Sequence, residues 1–279
     1  MELIEPEVEL LSELGITPES HIARCARVCY GREHKEPNQE ADKKLAEGLI
    51  KRGHLSMLRH ASMYLSNIKD ISQFATHIAN SCYWNYDAIR EYASTNLQEF
   101  TQSGVEKEPV AVIDNNRFLE ECAKHPRLFE LYRLTFCITT QISTSRELNR
   151  VSPNNIAERS TRFCSSRGGL AICRPWWIKS PIKDIASALS YYNLACEAEK
   201  TYMTLLLRGM KPEDARGVLP LDTATKVIYT YSIKGWQHIL DLRLYDKTGK
   251  AHPNCHVVMQ MVKDQINSFA NEHNIDYQV

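Results

Sequence analysis

The stretch TSRELNRVSPNNIAERSTRFC, residues 144–164, concentrates arginines, hydroxyls and carboxylates between two apolar segments. Within it, Arg150, Ser160 and Arg162 lie close in sequence to the acid Glu158. Arginine presents a planar fork of donors that matches phosphate oxygens, so this pattern predicts a site for a phosphorylated ligand. The alternative is a solvated cluster in which the arginines pair with surface acids and contribute little to stability.

A serine in such a setting could also be a nucleophile. Acyl transfer would require an activating base and a sharp turn of the form Gly-x-Ser-x-Gly. Ser160 lies instead in the sequence Glu-Arg-Ser-Thr-Arg. We therefore interpret Ser160 as a hydroxyl that donates to a phosphate or to a ring carbonyl.

The charge of the chain is balanced, because its 279 residues contain 34 Lys and Arg and 34 Asp and Glu. No overall field draws such a protein to a nucleic-acid backbone or an anionic membrane, so an anion must be bound by a local cluster. Residues 1–11 are acidic where a secretory signal would be basic and then apolar, and no apolar run approaches the roughly 20 residues of a transmembrane helix. We expect a soluble, cytoplasmic protein that binds neither nucleic acid nor membrane.

Cysteine and histidine spacing does not indicate a structural metal. The nine cysteines include no Cys-x-x-Cys pair, and their odd number does not suit a disulfide framework. His252 and His256 are four residues apart and could share a metal, although a solvated helix face is the commoner explanation. We expect buried free thiols and no metal ion, with a single reactive cysteine as the alternative.

Hydrophobic periodicity and turn residues predict a mixture of helices and strands. Helices are predicted at 40–53, 71–89, 126–141, 184–209, 234–245 and from 253 onward. Strands are predicted at 61–68, at the start of 91–100, within 161–173 and at 225–233, and a loop is predicted at 103–115. Because these elements do not alternate strictly as strand, helix and strand, the fold class is α+β.

Two further segments place Arg, His or Ser where a strand meets a helix or a turn. They are GHLSMLRH, residues 53–60, and the segment from DARGVLP to ILDLR, residues 214–243. Such junctions expose backbone N–H groups that bind anions. The residues alone therefore predict a soluble α+β protein with an internal anion site for a phosphorylated metabolite.

The three polar segments, in their order, resemble the flavin-dependent thymidylate synthases, the ThyX family. In that family an Arg-His-Arg triplet is followed after seven residues by Ser, with Arg two residues further on and an aromatic residue next. With Arg150 as the first arginine, Ser160, Arg162 and Phe163 fall on these positions. Residues 53–60 and 214–243 resemble the N-terminal and C-terminal blocks of the family, and the resemblance covers most of residues 20–265.

The resemblance implies a single α+β catalytic domain over residues 1–279, with helices packed on a mostly antiparallel sheet and a family-type insertion at about 69–140. It implies a homotetramer whose active sites combine residues from several subunits. The implied reaction is reductive methylation of dUMP at C5 to give dTMP. The implied cofactor is FAD, with NADPH as reductant and methylenetetrahydrofolate as the one-carbon donor. Because the flavin carries this chemistry, no cysteine of the enzyme has to attack the base.

The resemblance also implies a role for individual residues. The implied catalytic residues are Arg150, Ser160 and Arg243. The implied substrate-binding residues are Glu147, Glu158, Ser160, Arg162, Arg216 and Arg243. The implied cofactor-binding residues are His54, Ser56, Arg150, Ser232, Lys234 and His238.

Several positions depart from the family pattern. Where the family has Arg-His-Arg, this chain has Arg150, Val151 and Ser152, which removes a cation and an imidazole. Four further residues differ from the usual Glu, Asn, Arg and Tyr, namely Arg59, Ser232, Lys234 and Phe163. These changes favour two alternatives: flavin-dependent modification of C5 in another pyrimidine nucleotide or with another one-carbon donor, and a nucleotide-binding homologue without catalysis.

Overall fold

The computed structural model describes residues 1–32, 38–68, 81–105, 110–151, 153, 155–162, 168–179 and 182–279. The described strands are β1 Glu2–Ile4, β2 Glu7–Leu10, β3 Ser62–Ser66, β4 Asn85–Asp87, β5 Tyr92–Asn96, β6 Ala111–Ile113, β7 Arg133–Gln141, β8 Ile156–Glu158, β9 Ala171–Cys173 and β10 Ala224–Ser232. The described α-helices are α1 Pro18–Cys29, α2 Gln39–Lys51, α3 Leu97–Ser103, α4 Asn115–Lys124, α5 Ile142–Leu148, α6 Ile185–Leu207, α7 Pro212–Ala215, α8 Ile233–Arg243 and α9 Pro253–Glu272. Short 3₁₀ helices lie at Leu55–His60, Pro126–Leu131 and Arg216–Val218.

The main sheet has the order β2-β7-β10-β8, and all of its neighbouring strands are antiparallel. β7 and β10 pair over nine residues, with Gln141 opposite Ala224 at one end and Arg133 opposite Ser232 at the other. The predicted α+β class with a mostly antiparallel sheet is therefore confirmed. A smaller parallel pair joins β1 to β9.

Helices cover both faces of the main sheet. On one face, Phe136 of β7 and Val227 of β10 pack against Trp236 of α8 and Val258 of α9. On the other face, Cys137 and Ile228 pack against α1 and α2. Because every residue of β7 is buried, the sequence of this strand lacks the alternation of apolar and polar residues that marks a one-sided strand.

This two-sided burial explains why the helix predicted at 126–141 is wrong. Residues Pro126–Leu131 form a 3₁₀ helix, and residues Arg133–Gln141 form strand β7. A continuous apolar run is compatible with a buried helix or a buried strand, and periodicity alone does not separate the two. The β-branched and aromatic residues of the run favour the strand.

A second sheet, of order β4-β5-β3-β6, packs on a separate core of Leu65, Trp84, Ala93 and Phe100. Much of the helix predicted at 71–89 lies outside the described residues, and its last part is wrong because Asn85–Asp87 is strand β4. The prediction of a loop at 103–115 is also partly wrong, because residues Ala111–Ile113 within it form strand β6.

The predicted insertion at about 69–140 remains a prediction. Its described part supplies β4, β5 and β6 to the second sheet, and most of β7 to the main sheet.

The remaining predicted elements agree with the structure. The helices at 40–53, 184–209 and 234–245 are confirmed as α2, α6 and α8, and the last helix begins at Pro253 as α9. The strands at 61–68, at the start of 91–100 and at 225–233 are confirmed as β3, β5 and β10. Within 161–173 the described strand is β9.

Trp236 is a sensitive test of this packing. Its side chain is 1% exposed, its indole N–H donates to the backbone oxygen of Leu134 at 3.0 Å, and its ring meets Phe136 edge-on. Trp236→Ala should lower the free energy of unfolding by about 3–5 kcal/mol, because it opens a cavity in the core. Leu207→Ala, at a side chain that is 85% exposed, should change it by less than about 0.5 kcal/mol. Urea denaturation of the two variants measures both values, and equal effects would contradict the packing described.

Candidate functional site

A cavity of about 520 Å³ opens beside the end of β8. Its lining combines arginine guanidinium groups, hydroxyls, one carboxylate and one apolar side chain. The lining residues are Ile142, Ser145, Arg146, Glu158, Arg159, Ser160, Thr161 and Arg216. A volume of this size is typical of a small-molecule site. The structure therefore brings together three of the predicted substrate-binding residues, Glu158, Ser160 and Arg216. We call this the Ser160 cavity.

The backbone around Ser160 is held by hydrogen bonds to two neighbouring elements. The N–H of Arg159 donates to the backbone oxygen of Lys226 in β10 at 2.9 Å, and the N–H of Ser160 donates to the backbone oxygen of Cys29 at the end of α1, also at 2.9 Å. The Ser160 hydroxyl accepts from the N–H of Arg162 at 3.2 Å. This part of the motif is therefore attached to the sheet on one side and to α1 on the other.

Glu158 is held by three donors that carry no charge. Its Oε1 accepts from the Ser145 hydroxyl at 2.8 Å and from the Thr225 hydroxyl at 3.1 Å. Its Oε2 accepts from the Asn149 side-chain amide at 3.3 Å. The donors come from α5, from the residue that follows it and from β10, so the carboxylate is fixed at the point where these elements meet.

Arg162 and Arg216 both contact Glu213 of α7. Arg162 forms an ion pair with Glu213, with Nη2 and Oε2 3.2 Å apart, and its side chain is 56% exposed. Arg216 donates from Nε to the backbone oxygen of Glu213 at 3.1 Å and from Nη1 to the Thr161 hydroxyl at 2.9 Å. Arg162 thus forms the kind of exposed ion pair with a surface acid that the sequence analysis gave as the alternative to ligand binding. Because such exposed pairs contribute little, Arg162 can exchange Glu213 for a ligand anion at small cost.

Glu147 and Arg243, which were predicted to bind the same ligand, lie at a second place. Glu147 lines a separate cavity of about 320 Å³ and accepts from the N–H of His252 at 3.2 Å. Burial raises the pKa of the Cys255 thiol, Glu147 raises it further, and Arg243 opposes the rise, which puts both charged side chains near Cys255. Neither residue lines the Ser160 cavity. Arg150 is exposed on the turn that follows α5.

Five of the six predicted cofactor residues lie on two further elements, the 3₁₀ helix Leu55–His60 with its N-cap and the helix α8 with its N-cap. His54 and Ser56 are exposed at the start of the 3₁₀ helix Leu55–His60, and Lys234 and His238 are exposed on α8. Ser232 is buried and caps α8, since its hydroxyl accepts from the N–H of Gly235 at 3.1 Å. Exposed cationic and imidazole groups in the first turns of an 11-residue helix suit the anionic pyrophosphate of a flavin nucleotide.

The Ser160 cavity and the start of α8 lie at opposite ends of the long β7–β10 pair. α5 begins beyond Gln141, whereas α8 begins beyond Ser232, and these two residues lie at opposite ends of the β7–β10 pair. The first and last of nine residues are eight steps apart, and at about 3.4 Å per step the two ends lie roughly 27 Å apart.

Val151 occupies the position at which the family has the histidine of its triplet. Its side chain is 3% exposed and belongs to the main hydrophobic core, together with Leu148 and Tyr229. This residue therefore packs the core and does not face the Ser160 cavity. Ser152 lies outside the described residues.

A buried polar network beside the 3₁₀ helix Leu55–His60 was not predicted. His21 Nε2 lies 3.1 Å from the Thr135 hydroxyl, which is 2.7 Å from the Thr230 hydroxyl, which in turn is 2.8 Å from His60 Nδ1. Burial, with a contribution from Arg133, lowers the pKa of His60 to about 3. The network could not be found from the sequence, because residues 126–141 were predicted as a helix and the register that sets Thr135 opposite Thr230 is seen only in the structure.

His252 and His256 do not share a site. His252 Nδ1 accepts from the N–H of Asn254 at 3.2 Å, whereas His256 Nε2 lies 2.9 Å from Asp246 Oδ1. In the part of the chain that the structure describes, no group of three or more His, Cys, Asp and Glu side chains could hold a metal ion. None of the helices in the described ranges combines the length and the apolar character that a membrane span requires.

The chain matches the family model described as thymidylate synthase complementing protein over residues 9–81 and 65–270. These matches cover well over half of the chain. The chain therefore belongs to this family, the flavin-dependent thymidylate synthases, and the resemblance seen in its motifs is confirmed.

Individual relatives are distant. A flavin-dependent thymidylate synthase of Synechocystis sp. is 27% identical over 148 residues, which are 49% of this chain and 69% of the relative. A probable flavin-dependent thymidylate synthase of Paramecium bursaria Chlorella virus 1 is 31% identical over 77 residues, which are 28% of this chain and 31% of the relative.

Two crystal structures of the UMP/dUMP methylase PolB from Streptomyces cacaoi are similar over almost the whole chain. The complex with 5-Br dUMP has a TM-score of 0.44 at 17% identity and covers 97% of this chain and 93% of PolB. The complex with 5-Br UMP has a TM-score of 0.48 at 16% identity and covers 99% and 95%. Because both TM-scores are below 0.5, the α+β class rests on the sheets and helices of this chain.

The low pKa of His60 predicts how stability depends on pH. A histidine in the unfolded chain has a pKa near 6.5, whereas the pKa of folded His60 is about 3. Between about pH 6.5 and pH 3 this residue therefore binds a proton in the unfolded chain but not in the folded one. The free energy of unfolding should therefore fall as the pH is lowered through this window, by up to about 1.4 kcal/mol per pH unit for this one group. His60→Asn should have a shallower dependence in urea denaturation between pH 7 and pH 4.

His125→Gln is the control for this measurement, because His125 is exposed at the end of α4. It should leave the slope of the wild-type chain unchanged. A slope for His60→Asn equal to that of the wild type would show that His60 does not resist protonation in the folded state.

Proposed function

We propose that the chain is a flavin-dependent methylase that converts dUMP to dTMP, with methylenetetrahydrofolate as one-carbon donor and NADPH as reductant. The observation that carries the proposal is the Ser160 cavity, which is lined by Glu158, Ser160 and Arg216. The chain that forms this cavity belongs to the flavin-dependent thymidylate synthase family. Membership of this family supports a flavin as the cofactor.

In this proposal the phosphate of the nucleotide binds at the end of β8. Ser160 and Arg216 both line the cavity, and Arg162 forms an exposed ion pair with Glu213, whose backbone oxygen accepts from Arg216. Hydrogen bonds from guanidinium groups to phosphate are shorter and stronger than neutral ones. Glu158 cannot donate to phosphate as a carboxylate, so its part is to accept from the sugar.

The flavin would be held by His54, Ser56, Arg150, Ser232, Lys234 and His238. When bound, it would supply the hydride and relay the one-carbon unit. Lys234 offsets the charge of its pyrophosphate, although an ammonium group lacks the planar fork of the arginine that is usual at this position. Arg243 would stabilise negative charge on the pyrimidine ring.

The separation of the residue sets supports a site shared between subunits. The Ser160 cavity and the start of α8 lie at opposite ends of the β7–β10 pair, roughly 27 Å apart by strand length. The nucleotide residues of the Ser160 cavity and the flavin residues at the start of α8 are therefore too far apart to form one cleft within one chain. We therefore propose a homotetramer in which Lys234 of one copy lies beside the Ser160 cavity of another.

A second candidate function is methylation of another pyrimidine nucleotide. Val151 replaces the histidine of the family triplet, so the triplet has no imidazole to contribute to the site. The valine side chain is instead buried in the core. The phosphate-binding residues do not depend on this position. The alternative therefore keeps the flavin and the nucleotide phosphate and differs in the base or the sugar.

Binding of the flavin and the nucleotide can be followed in one absorbance titration. The purified chain with FAD should show a flavin band in the visible that shifts when dUMP is added, because both ligands occupy one cleft. NADPH oxidation should be stimulated by dUMP and not by UMP or dCMP. Stimulation by UMP or dCMP would favour the second function, and a chain that binds no flavin at saturating FAD would exclude both.

Arg162 tests the phosphate assignment. Arg162→Ala removes an exposed ion pair, so the free energy of unfolding should change by less than about 1 kcal/mol. The Kd for dUMP should rise about 10- to 100-fold, because a charge-assisted contact is lost.

Lys200→Ala is the matched control, since it breaks an exposed ion pair with Glu197 on α6. It should leave the Kd for dUMP unchanged. A Kd for Arg162→Ala equal to that of the wild type would assign Arg162 to its surface ion pair with Glu213 alone.

A further inference from the structure

A chain of hydrogen bonds runs from the interior of the main sheet to the Ser160 cavity. Tyr229 is in β10, and its hydroxyl donates to Asn149 Oδ1 at 2.6 Å. Asn149 follows the last residue of α5, and its Nδ2 donates to Glu158 Oε2 at 3.3 Å. The order of the chain is therefore Tyr229, Asn149, Glu158, and Glu158 lines the cavity.

The hydroxyl of Tyr229 sets the orientation of the Asn149 amide. Burial, and next the charge of Glu158, raise the pKa of Tyr229 well above its usual value, so the phenol keeps its proton. A protonated phenol that donates to Oδ1 leaves the two N–H groups of the amide on the other side. That side faces Glu158, where only a donor is favourable.

Packing fixes the position of the Tyr229 hydroxyl. The side chain is 2% exposed, belongs to the main core and stacks on Tyr231 with the ring centroids 6.4 Å apart. The backbone N–H of Asn149 donates to the oxygen of Ser145 at 2.8 Å, which fixes the other end of the amide. A rigid aromatic residue therefore determines where the carboxylate lies.

The donors leave one acceptor position open on Glu158. Each carboxylate oxygen accepts about two hydrogen bonds. Oε1 accepts from Ser145 and Thr225, whereas Oε2 accepts from Asn149 as its one donor among the residues that the structure describes. Since a carboxylate only accepts, the open position selects a ligand group that carries an O–H or N–H. In dUMP, the sugar carries one such group, the 3′-hydroxyl.

We propose that Tyr229 and Asn149 are positioning residues that hold Oε2 of Glu158 to accept a hydrogen bond from the 3′-hydroxyl of the nucleotide. This inference rests on the proposed function, because it takes dUMP as the ligand of the Ser160 cavity. It assigns the recognition of the sugar to a side chain that never contacts the ligand. Tyr229 acts through Asn149, and Asn149 acts through Glu158.

The test compares two ligands by calorimetry on the full chain, dUMP and 2′,3′-dideoxyuridine 5′-monophosphate, which lacks the 3′-hydroxyl. The wild type should prefer dUMP by about tenfold or more, as expected for a hydrogen bond to a charged group. Tyr229→Phe should lose most of this preference by binding dUMP more weakly, while its affinity for the dideoxy nucleotide stays unchanged. Glu158→Ala, which removes the acceptor, should lose the preference as well.

Tyr231→Phe is the control, because Tyr231 lies two residues further along the same strand and its hydroxyl has no part in the chain of hydrogen bonds to Glu158. It should keep the wild-type preference. Equal weakening of both ligands in Tyr229→Phe would show a merely structural role and overturn the proposal.

Asn149→Ala gives an independent measurement if Tyr229→Phe folds poorly. It interrupts the same chain of hydrogen bonds, so it should remove the same preference, and the double variant should lose no more than either single one. Additive losses would show that the two residues act separately. A wild-type chain that binds no dUMP overturns the proposed function together with this inference, whereas a wild type that discriminates while both variants retain its preference overturns this inference alone.

Discussion

Thr135 and Thr230 face each other across β7 and β10 and share a hydrogen bond of 2.7 Å. This contact requires one register of the central pair. A slip by one residue would turn every side chain of a strand to the opposite face. The threonine hydroxyl of the shifted strand would then enter the apolar face that holds Phe136 and Trp236, and it would lose its hydrogen bonds to the other threonine and to His21 or His60. Polar pairing on one face and apolar packing on the other thus specify the same alignment.

The register in turn fixes where the polar segments of the sequence lie. α5 leaves the sheet after Gln141 and α8 leaves it after Ser232, at opposite ends of the pair. The first junction carries Ser145 and Asn149 to the Ser160 cavity, and the second carries Lys234 to the far end. In the proposed function, a site that uses both junctions would need a second copy of the chain, because two antiparallel strands that are each followed at once by a helix place those helices at opposite ends of the pair.

Much of this arrangement could be predicted from the sequence, and the failures have physical causes. α6 and β10 were found because their residue types and periodicity are decisive. β7 was missed because burial on both faces removes the alternation that identifies a strand. The grouping of Glu158 with Ser160 was predictable from their spacing. The separation of Glu147 was not: successive helix residues point about 100° apart, so Arg146 lines the Ser160 cavity while Glu147 lines another.

The charges around the Ser160 cavity are arranged so that an anion can enter without stranding a buried ion. Glu158 is held by two hydroxyls and an amide, so its hydrogen bonds do not use the cations of the cavity. Arg162 is paired with Glu213, but the pair is exposed, and its separation leaves both groups in contact with water. Breaking a buried pair would instead leave an uncompensated charge at a cost of several kcal/mol. A phosphate that binds Arg162 therefore competes with a solvated carboxylate, which explains how an electrically balanced chain can present a local site for a dianion.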